Sequence, residues 1–142
     1  MMRWIVGSSL KLRFIVVPLW AESVGVSNSG TAVVFGIAGL DSRKEDVAAH
    51  SDAYLRHGLG VFAVDLPGTG ESPIAPATQD ADRLFSAALD HLIARRDIDG
   101  SRIVVQGRSW SGYWAAKLAV TECARLCGSI MPGHRTLPSG SG

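Results

Sequence analysis

The sequence has little of what would mark a metalloprotein, a disulfide scaffold or a membrane protein. It holds two cysteines, Cys123 and Cys127, and four histidines. The cysteines stand four residues apart with no second Cys/His pair at ligand spacing, so they read as small semi-buried residues of a cytoplasmic protein, and no metal is expected. The formal net charge is +1, which gives no basic or acidic field and no reason to expect a nucleic-acid partner. Lys11 and Arg13 interrupt the apolar N-terminal run, and no stretch approaches the ~20 apolar residues of a membrane span. The expectation is a soluble, cytoplasmic chain with no membrane partner. Gly-x4-Gly-Lys-Ser/Thr is absent, and Gly-x-Gly-x-x-Gly does not follow the first strong strand, so no nucleotide cofactor is expected.

What is present is one repeated logic of apolar strand, glycine-containing turn and amphipathic helix. At 142 residues the chain is long enough for one sizeable core. The run Thr31-Ala32-Val33-Val34-Phe35 is apolar throughout, as expected of a strand covered on both faces. Ser42-Arg43-Lys44-Glu45 matches a capping box, with Ser42 and Glu45 as the reciprocal pair. The helix it opens carries Val47, Ala48, Tyr54 and Leu55 on one side and ends at Gly58.

A strand over 60–64 follows and runs into the turn-rich loop Asp65-Leu66-Pro67-Gly68-Thr69-Gly70-Glu71-Ser72. That loop is expected to shape a pocket wall and bury Asp65. A helix opening near Asp80 places Leu84, Phe85, Ala88, Leu89, Leu92 and Ile93 at helical spacing, and Asp99-Gly100 breaks it. A strand over 102–106 and a helix over 112–121 close the pattern, with a further strand beginning at 128–131. Strands alternating with helices predict an α/β fold, a mostly parallel sheet with helices on both faces. Residues 1–30 are expected to add an edge strand or hairpin, 31–131 the core, and 132–142 a disordered tail.

The densest chemical signal is Ile103-Val104-Val105-Gln106-Gly107-Arg108-Ser109-Trp110-Ser111-Gly112-Tyr113. A β-branched strand runs into Gly-x-Ser-x-small-Gly and then a helix, the setting of a nucleophile elbow. Ser109 is the candidate nucleophile; Gly107, Ser111 and Gly112 are the small residues that let the turn close. Registering on Ser111 instead would put Tyr113 where only a small residue fits. A serine hydroxyl needs a neighbouring base, and acyl transfer needs donors aimed at the developing oxyanion. One donor would be the amide of Trp110. The other would come from the loop Gly36-Ile37-Ala38-Gly39-Leu40-Asp41, at Leu40 or Gly39.

Residues 33–121 resemble the α/β-hydrolase fold, and within it the FrsA-like and 2,6-dihydropseudooxynicotine hydrolase-like group. The resembling pieces are Gly39-Leu40-Asp41-Ser42-x-Lys44-Glu45, Val64-Asp65-Leu66-Pro67-Gly68-Thr69-Gly70-Glu71-Ser72 and Gly107-Arg108-Ser109-Trp110-Ser111-Gly112-Tyr113. The resemblance implies a metal-independent serine hydrolase acting on a small molecule with a carbonyl group, at an ester or at a carbon–carbon bond next to the carbonyl. It carries over Ser109 as nucleophile and the Leu40 and Trp110 amides as the oxyanion hole. Ser111 stands where the group usually has glycine.

The larger departure lies after the elbow. Such hydrolases take an acid and then a histidine from later loops. After Ser109 the sequence offers one acidic residue, Glu122, at the expected helix end, and one histidine, His134, in the unpatterned tail. His50, His57 and His91 precede the nucleophile and read as surface or packing residues. The group's helical cap is also missing. The expectation is therefore a fragment with little turnover alone, and with an exposed sheet edge prone to self-association. The alternatives are a non-catalytic module that binds through that edge, or a site completed by another chain.

Overall fold

The computed structural model describes residues 3–4, 14–17, 30–72 and 81–131. Six strands make one sheet: β1 (Arg3–Trp4), β2 (Phe14–Val17), β3 (Thr31–Ile37), β4 (Gly60–Val64), β5 (Ile98–Gly107) and β6 (Gly128–Ile130), in spatial order β1-β2-β4-β3-β5-β6. β4, β3, β5 and β6 are parallel, while β1 and β2 pair antiparallel at one edge. Both strands of that antiparallel pair lie within residues 1–30. The tail over 132–142 and Asp80 lie outside the described residues.

Side-chain alternation along the strands assigns the two faces. Val33, Phe35, Ile37, Phe62, Val64, Ile103 and Val105 face one way and build the main core. Helix α3 (Arg83–Ile93) covers that face with Leu84, Phe85, Ala88, Leu89 and Leu92, and helix α4 (Trp110–Thr121) adds Trp114, Ala115 and Leu118. Edge-on ring contacts tie Phe35 to Phe62 and to Phe85. On the opposite face Ala63 meets Val47 and Ala48 of α1 (Lys44–Ala49). Tyr54 of α2 (Asp52–Arg56) donates a 2.7 Å hydrogen bond to Gln106 there. Helices therefore lie on both faces, as the apolar strands predicted.

Several local expectations are corrected. The helix expected to run from Ser42 to Gly58 is two short helices, separated by His50 and Ser51. Its N-terminus is not capped by Ser42 and Glu45: the Arg43 amide donates to Asp46 at 2.7 Å, and the Ser42 hydroxyl turns back to accept from Gly39. Asp99-Gly100 does not break α3. That helix ends at Ile93, and both residues belong to β5, beside a register irregularity opposite Thr31 and Val33. Ile93, expected with the apolar stripe, is the exposed last residue of the helix, with its side chain near Gly100. Cys123 and Cys127 are exposed thiols, not semi-buried ones, because the chain has left α4 and runs over the surface there.

Candidate active site

The strand order positions the site. The chain leaves β3 for β4 on one side, then returns across the sheet to β5 on the other. The carboxyl ends of β3 and β5 are therefore a topological switch point, where open α/β sheets form their crevices. Ile37 and Gly107 are register partners at the ends of these strands, so the loops that follow leave the sheet side by side. Gly39 on one loop lies against the Arg108 carbonyl on the other: a β-carbon on Gly39 would sit 3.7 Å from it.

Ser109 occupies the turn between β5 and α4 with φ 59° and ψ −129°. Among the described residues it is the one non-glycine with positive φ, and a side chain in that region is strained. Gly107 and Ser111 allow the turn. A β-carbon on Gly107 would overlap the Ser111 carbonyl and come within 2.9 Å of the Gly112 amide. Ser111 is fully buried, and its hydroxyl accepts from the Arg108 amide and donates to the Arg108 carbonyl, both at 2.7 Å. Gly112 donates its amide to the Ser109 carbonyl at 2.9 Å.

The Leu40 loop is fixed by its neighbours. The Gly39 amide donates to Ser42 Oγ at 2.8 Å, so of the two amides named from sequence, Gly39 is engaged. The amides of Leu40 and of Trp110, the first residue of α4, find no acceptor among the described residues. Leu40, Trp110 and Tyr113 are more than half exposed, and the last two rings stack at 5.7 Å. Leu40, Asp41, Ser42, Arg43, Thr69 and Gly70 line a cavity of about 170 Å³, so the loop after β4 does form a pocket wall.

No candidate base joins Ser109 among the described residues. The Nδ1 atoms of His50 and His57 sit 2.7 Å from the carbonyls of Asp46 and Ala53, one turn back. His91 lies on α3; burial, then the nearby Arg95 charge, lowers its pKa below the usual 6.5. Glu122 terminates α4 and bonds Ser86 and Arg125, facing α3. His134 lies outside the described residues. No group of three His, Cys, Asp or Glu side chains among them is placed to hold a metal ion, and no helix among them is long and apolar enough to cross a membrane.

Sequence reasoning anticipated the burial of Asp65 but missed its partner. Lys44 is 1% exposed, and its ammonium lies 3.0 Å from Asp65, 2.8 Å from Glu71 and 2.9 Å from Glu45. Burial works to lower the Lys44 pKa. The hydrogen bonds to Glu71, Glu45 and Asp65 outweigh it and hold the group above the ordinary lysine value of 10.5. A lysine at the start of a helix carries no signal for burial by itself; the clue was the acidic pair in the loop after β4.

A mostly parallel sheet with helices on both faces, an antiparallel pair at one edge and a strained serine turn at the switch point define an α/β-hydrolase fold. The chain belongs to the FrsA-like esterase family, which matches it over residues 23–136. It is 29% identical over 102 residues to esterase FrsA of Vibrio vulnificus strain YJ016, covering 71% of this chain and 25% of that protein. It is 48% identical over 71 residues to the α/β hydrolase domain-containing protein WAV2 of Arabidopsis thaliana, covering 50% of this chain and 23% of that one. The crystal structure of 2,6-dihydroxy-pseudo-oxynicotine hydrolase superposes with a TM-score of 0.71 at 26% identity, over 89% of this chain and 34% of that chain. The chain thus spans about a quarter of the length of these curated relatives.

Proposed function

We propose that this chain carries the nucleophile half of a serine esterase. The observation that carries the reading is the backbone of Ser109: a positive φ at a strand-to-helix turn, beside a loop whose Leu40 amide is uncommitted. Ser109 Oγ attacks the carbonyl carbon of a small-molecule ester, or of a ketone whose adjacent carbon–carbon bond breaks. The Leu40 and Trp110 amides receive the developing oxyanion. A histidine oriented by an acid takes the Ser109 proton and passes it to the leaving group, giving an acyl-enzyme that water hydrolyses. Neither the histidine nor the acid is met at Ser109 among the described residues, and the reading expects slow turnover by the chain alone. The exposed Ile130 on β6 supports self-association at that edge as the alternative use of the surface.

The test is fluorophosphonate labelling read by intact mass, with and without concentrated imidazole as a surrogate base. The expected result is slow labelling of the chain, acceleration by imidazole, and none in Ser109→Ala. Label retained in Ser109→Ala would overturn the nucleophile assignment. Rapid labelling without imidazole would show that the chain already supplies its own base. A folded chain that never labels would favour the non-catalytic binding module.

A further inference from the structure

The buried ion cluster beneath the Leu40 loop has no part in the chemistry above. Lys44 is the first residue of α1 and follows that loop directly. Its backbone amide donates to one Asp65 oxygen at 2.9 Å, and its ammonium to the other at 3.0 Å. The ammonium also donates to Glu71 at 2.8 Å, and the Glu71 amide donates back to Asp65 at 3.0 Å. Asp65 is 2% exposed. The loop after β4 wraps this carboxylate so closely that a β-carbon on Gly70, where φ is +52°, would overlap it. The loop after β3 is therefore fastened to the loop after β4 at Lys44, and to itself where Ser42 accepts from Gly39. Between these two fixed points lies the Leu40 amide.

Stability is a poor explanation for such a cluster. Desolvating charges costs several kcal/mol per ion in general, and well-packed apolar replacements are often neutral or stabilising. What charged, bidentate contacts supply is a fixed geometry. We propose that Lys44, through Asp65 and Glu71, is a positioning residue that holds the Leu40 amide in line with Ser109. The proposal rests on the serine reading above; Lys44 touches neither substrate nor the reacting atoms.

The experiment pairs two readouts on the whole chain, in Glu71→Gln and Lys44→Met. The first is amide hydrogen exchange at Gly39, compared with Val33, Val34 and Phe35 in β3. The second is the concentration dependence of imidazole-supported fluorophosphonate labelling at Ser109. Both variants are expected to speed Gly39 exchange at least tenfold with the β3 amides unchanged. They are also expected to lower the maximal labelling rate at least tenfold at an unchanged half-saturating concentration. Glu71 is far more exposed than Lys44 or Asp65, so Glu71→Gln carries the test if Lys44→Met does not fold. Unchanged Gly39 exchange would overturn the proposal. So would a loosened loop with undiminished labelling, or exchange that rises equally along β3, since either assigns the cluster to structure alone. Failure of the serine reading is separate: it shows as label that survives Ser109→Ala, or as a parent chain that never labels, and the proposal then falls with it.

Discussion

The α-carbon of Gly107 packs directly against the carbonyl oxygen of Ser111, leaving no room for a side chain between the last residue of β5 and the first turn of α4. The obstacle is backbone and cannot rotate away. Gly107→Ala is therefore expected to destabilise the chain by about 1–3 kcal/mol, the usual range for overpacking, or more if the turn breaks. Urea unfolding of the variant beside the parent checks this; an unchanged midpoint would refute it.

Ser111 carries a hydroxyl at a small position of the turn, and it holds both the backbone amide and the backbone carbonyl of Arg108. Ser111→Ala keeps the volume nearly the same but leaves those groups without their partner. The expected cost is about 1–2 kcal/mol in the same unfolding measurement. Ser111→Gly should cost at least as much, because it loses the same bonds and adds backbone freedom.

Phe85 lies at the centre of the main core, fully buried, with ring centroids 6.3 Å from Phe35 and 5.3 Å from Trp114. Phe85→Ala is expected to cost about 3–5 kcal/mol, transfer and cavity terms together. Val120 on α4 is 76% exposed, and Val120→Ala should leave stability within about 0.5 kcal/mol of the parent. Equal effects of the two substitutions would contradict the placement of α3 and α4 on the sheet.

The lowered pKa of His91 ties stability to pH. Above 6.5 the ring is neutral in both the folded and unfolded chain and contributes no slope. As pH falls through 6.5 the unfolded chain takes up a proton that the folded chain resists, so stability is lost until the folded pKa is passed. Thermal melts from pH 7.5 to 5 should show that loss, and His91→Gln should flatten it.

Lys44 gives the opposite edge of the profile. Its folded pKa is raised, so its contribution is full below the unfolded value of 10.5 and is lost as pH climbs beyond it. Melts between pH 7 and 10 should show no decline that Lys44→Met removes; the difference between the two chains should narrow only at higher pH.

Much of this fold was legible in the residues because it follows from local rules. The apolar runs at Val33 and Val61, the spacing of Leu84, Phe85, Ala88 and Leu92, and the Gly107–Gly112 turn each report their own conformation. What misled was also local. Ser42 and Glu45 have the spacing of a cap, but Gly39 offered the Ser42 hydroxyl another donor, and Asp46 took over the helix start. Asp99 and Gly100 have the look of a helix breaker, yet they fall inside β5, between its two stretches of pairing with β3, at Ile98 and from Ile103 onward, where the register shifts.

The sequence by itself determined the order of elements, the apolar faces and the strained serine turn, because periodicity and steric fit are properties of a few neighbouring residues. Only the tertiary structure decided that β3 lies between β4 and β5, so that the loops bearing Leu40 and Ser109 emerge together. It alone placed the Lys44 ammonium between Asp65 and Glu71, 21 and 27 positions away. Strand order and the pairing of distant charges depend on how separate segments share one sheet, and no short window of sequence records that.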